Sequence, residues 1–454
     1  MNTIQSPARR RVLKAAGAAA LLAAAERRAA LAATAPDYKA LVCVFQQGGN
    51  DGENTLIRYD AAGYAHYAAI RPPASGINIA RSHLHPIQPA SVATPFGFHP
   101  ACGPLKTLFD QRKLAIVANV GMLAAPSSRA GLEKQGAPRP ANLFSHSDQQ
   151  RALQSADPRG TSQTGWGGRM ADRLARIDGG SPFPMSVAMQ QWGIFGTGTS
   201  SISLTIPAGA STQPAITPDP SADVLANAAM REIMEQRRSN VFDVTTQRYA
   251  REGLQASSVV SSILQNQKSI VRPYFAALKG ELGTQMLNVA LMIEGRGETG
   301  LRRQVFHVRH GNYDTHGSQP AAHQQLLTEL SQALAAFQDA MTALGLAKNV
   351  TTFTLSDFGR TFKPAANKGT DHGWGNYAFV MGDAVRGGDV YGKLVTQALD
   401  GPDDLGNAGR WIPTTSLEQY SATLIRWFGI PEADLPYVLP NIGAFADTNL
   451  RFMA

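Results

Sequence analysis

The chain is 454 residues long, 43% hydrophobic and 17% charged, the composition of an ordinary globular protein and not of a disordered one. Such a length holds one large α/β core or two smaller ones. The formal charge of +8 invites a nucleic-acid reading, but residues 1–32 carry six basic side chains against Glu26, which leaves about +3 for the remainder and no basic stripe interleaved with aromatics.

The N-terminus reads SPARRRVLK over residues 6–14, followed by AAGAAALLAAA. Adjacent arginines, an apolar pair, Lys14 and a weakly apolar run resemble a twin-arginine export signal, with Ala30-Leu31-Ala32 as a small-residue cleavage region. Residues 1–32 are therefore expected to be a signal peptide and the export machinery a partner. Residues 33–454 are expected to work in the periplasm or outside the cell. The alanine-rich run is too short for a stable membrane span, and no later segment reaches about 20 apolar residues. Only Cys43 and Cys102 are present, so no disulfide framework is expected, and Cys43, inside ALVCVF, reads as a small core residue.

Beyond the signal, short apolar runs recur: ALVCVF (40–45), LAIVANVG (114–121), PMSVAM (184–189), QVFHVRHG (304–311), NVTTFTLS (349–356) and YAFVMG (377–382). Runs of this kind suit strands buried on both faces of a parallel sheet. Between the fourth and fifth lies a long helical pattern at 321–345, with Leu326, Leu330, Leu334 and Phe337 at helical spacing and Gly345 at its end. Strand, helix and strand there form a βαβ unit. A last helix is expected at 416–429. Residues 197–220 read as an irregular excursion and 222–298 as mostly helical, so an insertion or cap is expected around 197–298. The expected fold is one α/β domain whose mostly parallel central sheet is sandwiched by helices.

Open sheets of this class bind ligands beyond the carboxyl ends of their strands, and polar clusters follow the predicted strands there. Asn50 and Asp51 follow the first, Asp314 and His316 the fourth, and Asp357 the fifth, while Asp371 and His372 lie on the loop entering the last. Glycines flank them and permit close backbone approach. Carboxylates and imidazoles meeting at one edge repel without a cation, and both are usual ligands for divalent ions; zinc, manganese and calcium are all admissible. In NLFSHSDQQ (142–150), Ser145 and Ser147 stand at a predicted helix start. There a hydroxyl either caps the helix or serves as a nucleophile beside the positive end of the dipole. Arg360, three residues after Asp357, is a candidate for gripping an anionic substrate through its planar fork. His307 reads as a packed strand residue, His323 as solvated or behind the site, and His66, His83, His85 and His99 as surface residues.

The ordered motifs FQQGGNDGENT, GFHPACGPLKTL, LFSHSDQQ, GWGGR, YDTHGSQ, SDFGRTF and GTDHGWGNYAFVMGDAVRGGDVYG resemble those of the exported bacterial family called domain of unknown function 1501, over nearly all of the chain after the signal. That family looks like a branch of the alkaline phosphatase/sulfatase superfamily. The resemblance implies metal ligands at Asp51, Asp314, His316, Asp357 and His372, and a nucleophile at Ser145, with Ser147 in reserve. Asn50, His146 and Asp371 are expected behind them, Asp371 orienting His372. Phe358 stands where alkaline phosphatases follow the late aspartate with histidine. The function this implies is metal-dependent hydrolysis of phosphate or sulfate esters on a small molecule or glycan. The alternatives are a transferase or mutase of the superfamily, or a non-catalytic binding or assembly protein on the same fold.

Overall fold

A computed structural model describes residues 37–134, 136–175, 183–190, 193–207, 232, 253 and 256–454. The expected export signal and residues 208–231, 233–252 and 254–255 of the expected insertion lie outside them. Among the described residues no helix is long and apolar enough to cross a membrane.

The strands are β1 (Lys39–Gln46), β2 (Leu56–Arg58), β3 (His85–Ile87), β4 (Phe96–Phe98), β5 (Leu114–Gly121), β6 (Ser186–Met189), β7 (Ser203–Ile206), β8 (Arg303–His310), β9 (Val350–Ser356), β10 (Asn376–Met381), β11 (Val390–Tyr391) and β12 (Thr415–Ser416). Nine form one sheet in the order β11-β5-β10-β9-β1-β8-β6-β7, with β12 also on β5. All pairings are parallel except those of β10, which runs against both β5 and β9. β2, β4 and β3 make a small separate sheet. The fold is thus the expected α/β architecture, a mixed and mostly parallel sheet between helices.

The helices used below are α1 (Gly52–Thr55), α2 (Ala61–Ile70), α3 (Gly103–Asp110), α4 (His146–Ser155), α5 (Trp166–Leu174), α6 (Glu281–Glu294), α7 (Gln319–Ala343) and α8 (Leu417–Phe428). Side chains of a strand alternate between faces, and β1 shows what this achieves. Ala40, Val42 and Val44 enter a core shared with α3, α6 and α7, whereas Leu41, Cys43 and Phe45 enter a second core shared with α4, α5 and α8. A strand apolar at every position therefore has two helical layers to bury against. Each fully buried valine, leucine or phenylalanine contributes about 1.5–3 kcal/mol. Cys43 and Cys102 are buried and free. Helix α6, inside the expected insertion, packs Met286, Val289, Met292 and Ile293 into the first core. His307 lies on β8, buried and stacked on Phe195 at 4.8 Å, and burial alone holds its pKa down at about 3.

Strands β8 and β9 both pair with β1, so α7 crosses over the central strand rather than joining neighbours. The carboxyl ends of β1, β8 and β9 consequently lie side by side. Because β10 is antiparallel, it begins at that same edge, and its entering loop comes up beside the other three. The reversal is what brings residues 369–375 to the place where the other polar clusters emerge.

One buried acid reports on the fold. Ser416 and Gln419 form a capping box on α8, and Glu418, in its first turn, is fully buried. Its Oε1 accepts from Asn441 Nδ2 at 3.3 Å, while Oε2 has no partner among the described residues. Burial, opposed by its own helix-end amide and by Asn441, pushes its pKa up to about 7. A carboxyl whose folded pKa lies above its unfolded value of 4.5 contributes stability that is complete below the unfolded value and lost as pH rises through the folded one. Glu418→Gln should gain up to about 3 kcal/mol over the wild type at about pH 8 and little at about pH 4. Paired urea melts at the two pH values measure this, and an equal difference at both would contradict it.

Candidate metal centre

Four of the expected residues meet above the strand ends. Asp314 and His316 follow β8, His372 lies on the loop entering β10, and His146 is the first residue of α4. His146 Nε2 and His372 Nε2 are 3.1 Å apart, and His316 Nε2 is 2.9 Å from His372 Nε2. Asp314 Oδ1 lies 3.3 Å from His146 Nε2, 2.9 Å from His316 Nε2 and 3.3 Å from His372 Nε2.

The tautomers follow from the opposite ring atoms. His372 Nδ1 donates to the Phe144 carbonyl at 2.8 Å, and His146 Nδ1 donates to Asp357 Oδ2 at 2.6 Å. A neutral imidazole carries one N–H, so the inward Nε2 of both rings then bears a lone pair. Imidazole lone pairs and a carboxylate oxygen turned on one another at these distances repel unless a cation stands among them. Ligand atoms about 2.0–2.1 Å from a tetrahedral ion sit about 3.3 Å apart, close to the separations within His146, Asp314 and His372. The donor set, three imidazole nitrogens and one oxygen, suits zinc-like ions better than calcium, which takes six or more oxygens. His146, Asp314 and His372 form one possible metal-holding group, and His316, Asp371 and His372 an overlapping one.

The electrostatics agree. Burial disfavours charge on His146, but Asp357 and then Asp314 outweigh it and raise its pKa. The site thus attracts positive charge even as a proton. Burial lowers the pKa of His372, helped by the neighbouring His146 and opposed by Phe144. Burial would raise that of Asp314, yet Arg360, with His146 and His316, brings it down.

The surroundings fix the side chains of the cluster. Asp357 is buried; its Oδ2 accepts from Gly48 N at 3.1 Å, Gln150 Nε2 at 2.9 Å and His146. Its Oδ1 has no partner among the described residues. Asp357 therefore reaches the cluster through His146, with one oxygen still unsatisfied. His146, expected behind the cluster, stands in it. Phe358 packs against both rings, 4.8 Å from His146 and from His372. Gly48, at φ +112°, is required here because a Cβ would sit 2.4 Å from Asp314 N, and a Cβ on Gly369 would sit 2.2 Å from the His316 carbonyl carbon.

Three further expectations change. Asp51 follows β1 as anticipated but is buried below the cluster, in a bidentate pair with Arg71, the residue that ends α2. The Arg71 Nη1 contact is 2.8 Å and the Nη2 contact 3.1 Å. Gln319 Nε2 and Asn54 N donate to the same carboxylate, so its lone pairs are spent and none faces an ion. Arg360 is likewise consumed. Its Nη1 donates to Asp314 Oδ1 at 2.7 Å and to Gly48 O, its Nε to Thr370 Oγ1, and its Nη2 to Thr370 O. Its side chain is fully buried, so it clamps Asp314 instead of meeting a substrate. Asp371 orients no imidazole through His372; it accepts from the His372 backbone N at 2.8 Å and from Arg410 Nη2 at 3.0 Å, with His316 Nδ1 at 3.9 Å.

Other expected residues fall around these. Asn50, buried behind the loop, takes a hydrogen bond from His323 Nε2 at 2.9 Å, and burial holds the pKa of His323 down at about 4. His99 is buried rather than superficial, its Nδ1 accepting from Ala101 N. Ser145 occupies the N-cap position of α4 without capping it; its Oγ lies 3.2 Å from Ser147 Oγ. Sequence reasoning missed Arg71, Gln150 and Gln319. Gln150 had a signal, since it follows His146 by one helical turn, but the other two had none.

Removing one member of a buried ion pair strands the other charge and costs about 3–5 kcal/mol. Asp51→Asn should lose about that much in a denaturant melt, whereas Asp314→Asn, at a half-exposed position, should lose far less. Equal losses would contradict the division of these two aspartates between frame and cluster.

Among curated proteins none matches this chain significantly. Solved structures similar to it include the PsFucS1 sulfatase from Pseudoalteromonas sp., at 10% identity and TM-score 0.34 over 95% of this chain and 73% of that one. A 2-O GAG sulfatase matches at 10% identity and TM-score 0.34 over 89% and 74%. The C-terminal periplasmic domain of EcEptC from Escherichia coli, in complex with Zn, matches at 10% identity and TM-score 0.28 over 77% and 74%. A family model described as "Protein of unknown function (DUF1501)" matches residues 38–405, most of the chain, and the protein belongs to that family.

Proposed function

We propose that this protein is an exported metal-dependent hydrolase of phosphate or sulfate esters, built around one zinc-like ion held by His146, Asp314, His316 and His372. The observation that carries the reading is the convergence of His146 Nε2, His316 Nε2 and Asp314 Oδ1 on His372 Nε2, at 2.9–3.3 Å. A bound ion supplies charge neutralisation and polarisation of the ester oxygens. The chain's own part is positional: Asp357 and the Phe144 carbonyl hold two rings in the required tautomer, and Arg360 aims Asp314. A single ion is favoured because Asp51 is bound to Arg71 and Phe358 backs the cluster with a hydrocarbon ring.

Ser145, next to His146 at the open start of a ten-residue helix, is the proposed nucleophile. The hydroxyl is free of capping duty, and the helix end favours the anion it becomes. The SPARRRVLK segment supports export by the twin-arginine route and work in the periplasm or outside the cell.

Purified protein should carry about one zinc per chain and should hydrolyse an aryl phosphate, phosphodiester or sulfate, losing turnover on chelation. Asp357→Asn should weaken zinc binding about 10–100-fold through His146, and Ser145→Ala should abolish turnover while leaving zinc bound. Turnover surviving Ser145→Ala would transfer the attack to solvent water. Zinc bound with no ester turned over would favour a binding protein, and neither zinc nor turnover would sink the hydrolase reading.

A further inference from the structure

Arg360 and Arg410 touch residues of the candidate centre and Arg309 is linked to it through two glutamines, and the three differ in what they have left to offer. Arg360 is spent on Asp314, Gly48 and Thr370. Arg410 gives Nε to the His372 carbonyl at 2.8 Å and Nη2 to Asp371 at 3.0 Å, and lies over the Phe144 ring. Arg309, the penultimate residue of β8, is only half-buried. Its backbone is pinned by Gln285 of α6, which accepts from Arg309 N at 3.1 Å and donates to Arg309 O at 2.8 Å. Its Nε donates to Gln47 Oε1. Among the described residues, no carboxylate pairs with it and no acceptor meets its two Nη groups.

A relay of neutral amides ties that guanidinium to the cluster. Gln47 Nε2 donates to Gln150 Oε1 at 3.5 Å, and Gln150 Nε2 donates to Asp357 Oδ2 at 2.9 Å, the oxygen that holds His146. Gln150 stands one turn beyond His146 on α4, about 5 Å along the helix, and Gln47 carries the line further to Arg309. A fixed, uncompensated cation with a planar fork is thereby set aside from the four ligand atoms, on the side reached through α4.

Resting on the hydrolase reading, we propose that Arg309 binds a second anionic group of the substrate, so that the substrate class is a polyanionic ester. The molecule carries a further sulfate, phosphate or carboxylate beyond the reacting group. The fork of Arg309 accepts that group in a bidentate pair, while the reacting ester lies over His146, Asp314, His316 and His372. An ester bearing one anionic group leaves Arg309 unpaired and binds less tightly.

The test measures binding without turnover, on the zinc-loaded full chain at fixed ionic strength. Calorimetry compares linear alkanedisulfonates, from butane- to octanedisulfonate, with the corresponding monosulfonates. The wild type should prefer the best disulfonate by roughly tenfold; Arg309→Ala should bring the ratio close to one, and Arg309→Lys should restore part of it. A ratio that persists in Arg309→Ala overturns the proposal. So does a parallel fall in both affinities, which would mean that Arg309 grips the reacting group or merely props Gln47. A wild type that binds neither ligand, or both equally, also overturns it. Absence of ester turnover in the wild type bears on the hydrolase reading alone, because the ratio is read from an inert ligand.

Discussion

Two imidazole nitrogens, of His146 and His372, lie 3.1 Å apart and each within 3.3 Å of one carboxylate oxygen of Asp314, and their outer hydrogen bonds leave neither a proton to share. His146 and His372 have already committed their outer N–H groups to Asp357 and to the Phe144 carbonyl, so the inner atoms are left as acceptors facing acceptors. Everything around them keeps them there. Asp314 is held by Arg360 from below, Phe358 closes the back of the rings, and glycines at 48 and 369 let four chain segments crowd together. The frame thereby holds the polar atoms of the candidate centre in place before anything binds there.

Below that layer lies a second one, made of buried ionic and amide groups with no opening to solvent. Arg71 neutralises Asp51, Gln319 joins Asp51 to Thr370, and Thr370 joins Arg360. A buried ion pair adds little net stability but is costly to break. Here it fixes where the loops after β1 and before β10 stand relative to one another. The two aspartates that look alike in sequence, Asp51 and Asp314, are thereby separated into floor and site.

Much of this was legible in the chain. Apolar runs without alternation identified six strands, β1, β5, β6, β8, β9 and β10, because a strand buried on both faces has no polar side to show. The polar clusters after the strands were visible as candidates for one edge, because parallel strands share a direction. The reversal of β10 left no trace in its residues, since pairing direction depends on a neighbour distant in the chain and not on local pattern; Val380, for example, faces Phe353. The fate of Asp51 was hidden for the same reason. Arg71 sits in AAIRPP, whose local pattern says only that a helix ends before the prolines, and its pairing with Asp51 appears only in three dimensions. His146 was underrated because its partner Asp357 lies 211 residues away.

That dispersal has a consequence for when the centre comes into being. Its residues, 146, 314, 316 and 372, are dispersed, and no short stretch of chain contains more than the pair Asp314 and His316. The cluster exists only once α4, the end of β8 and the entrance to β10 have docked on the same sheet. Its geometry is thus a late product of folding, and an intact cluster is a sign that this edge of the sheet has closed.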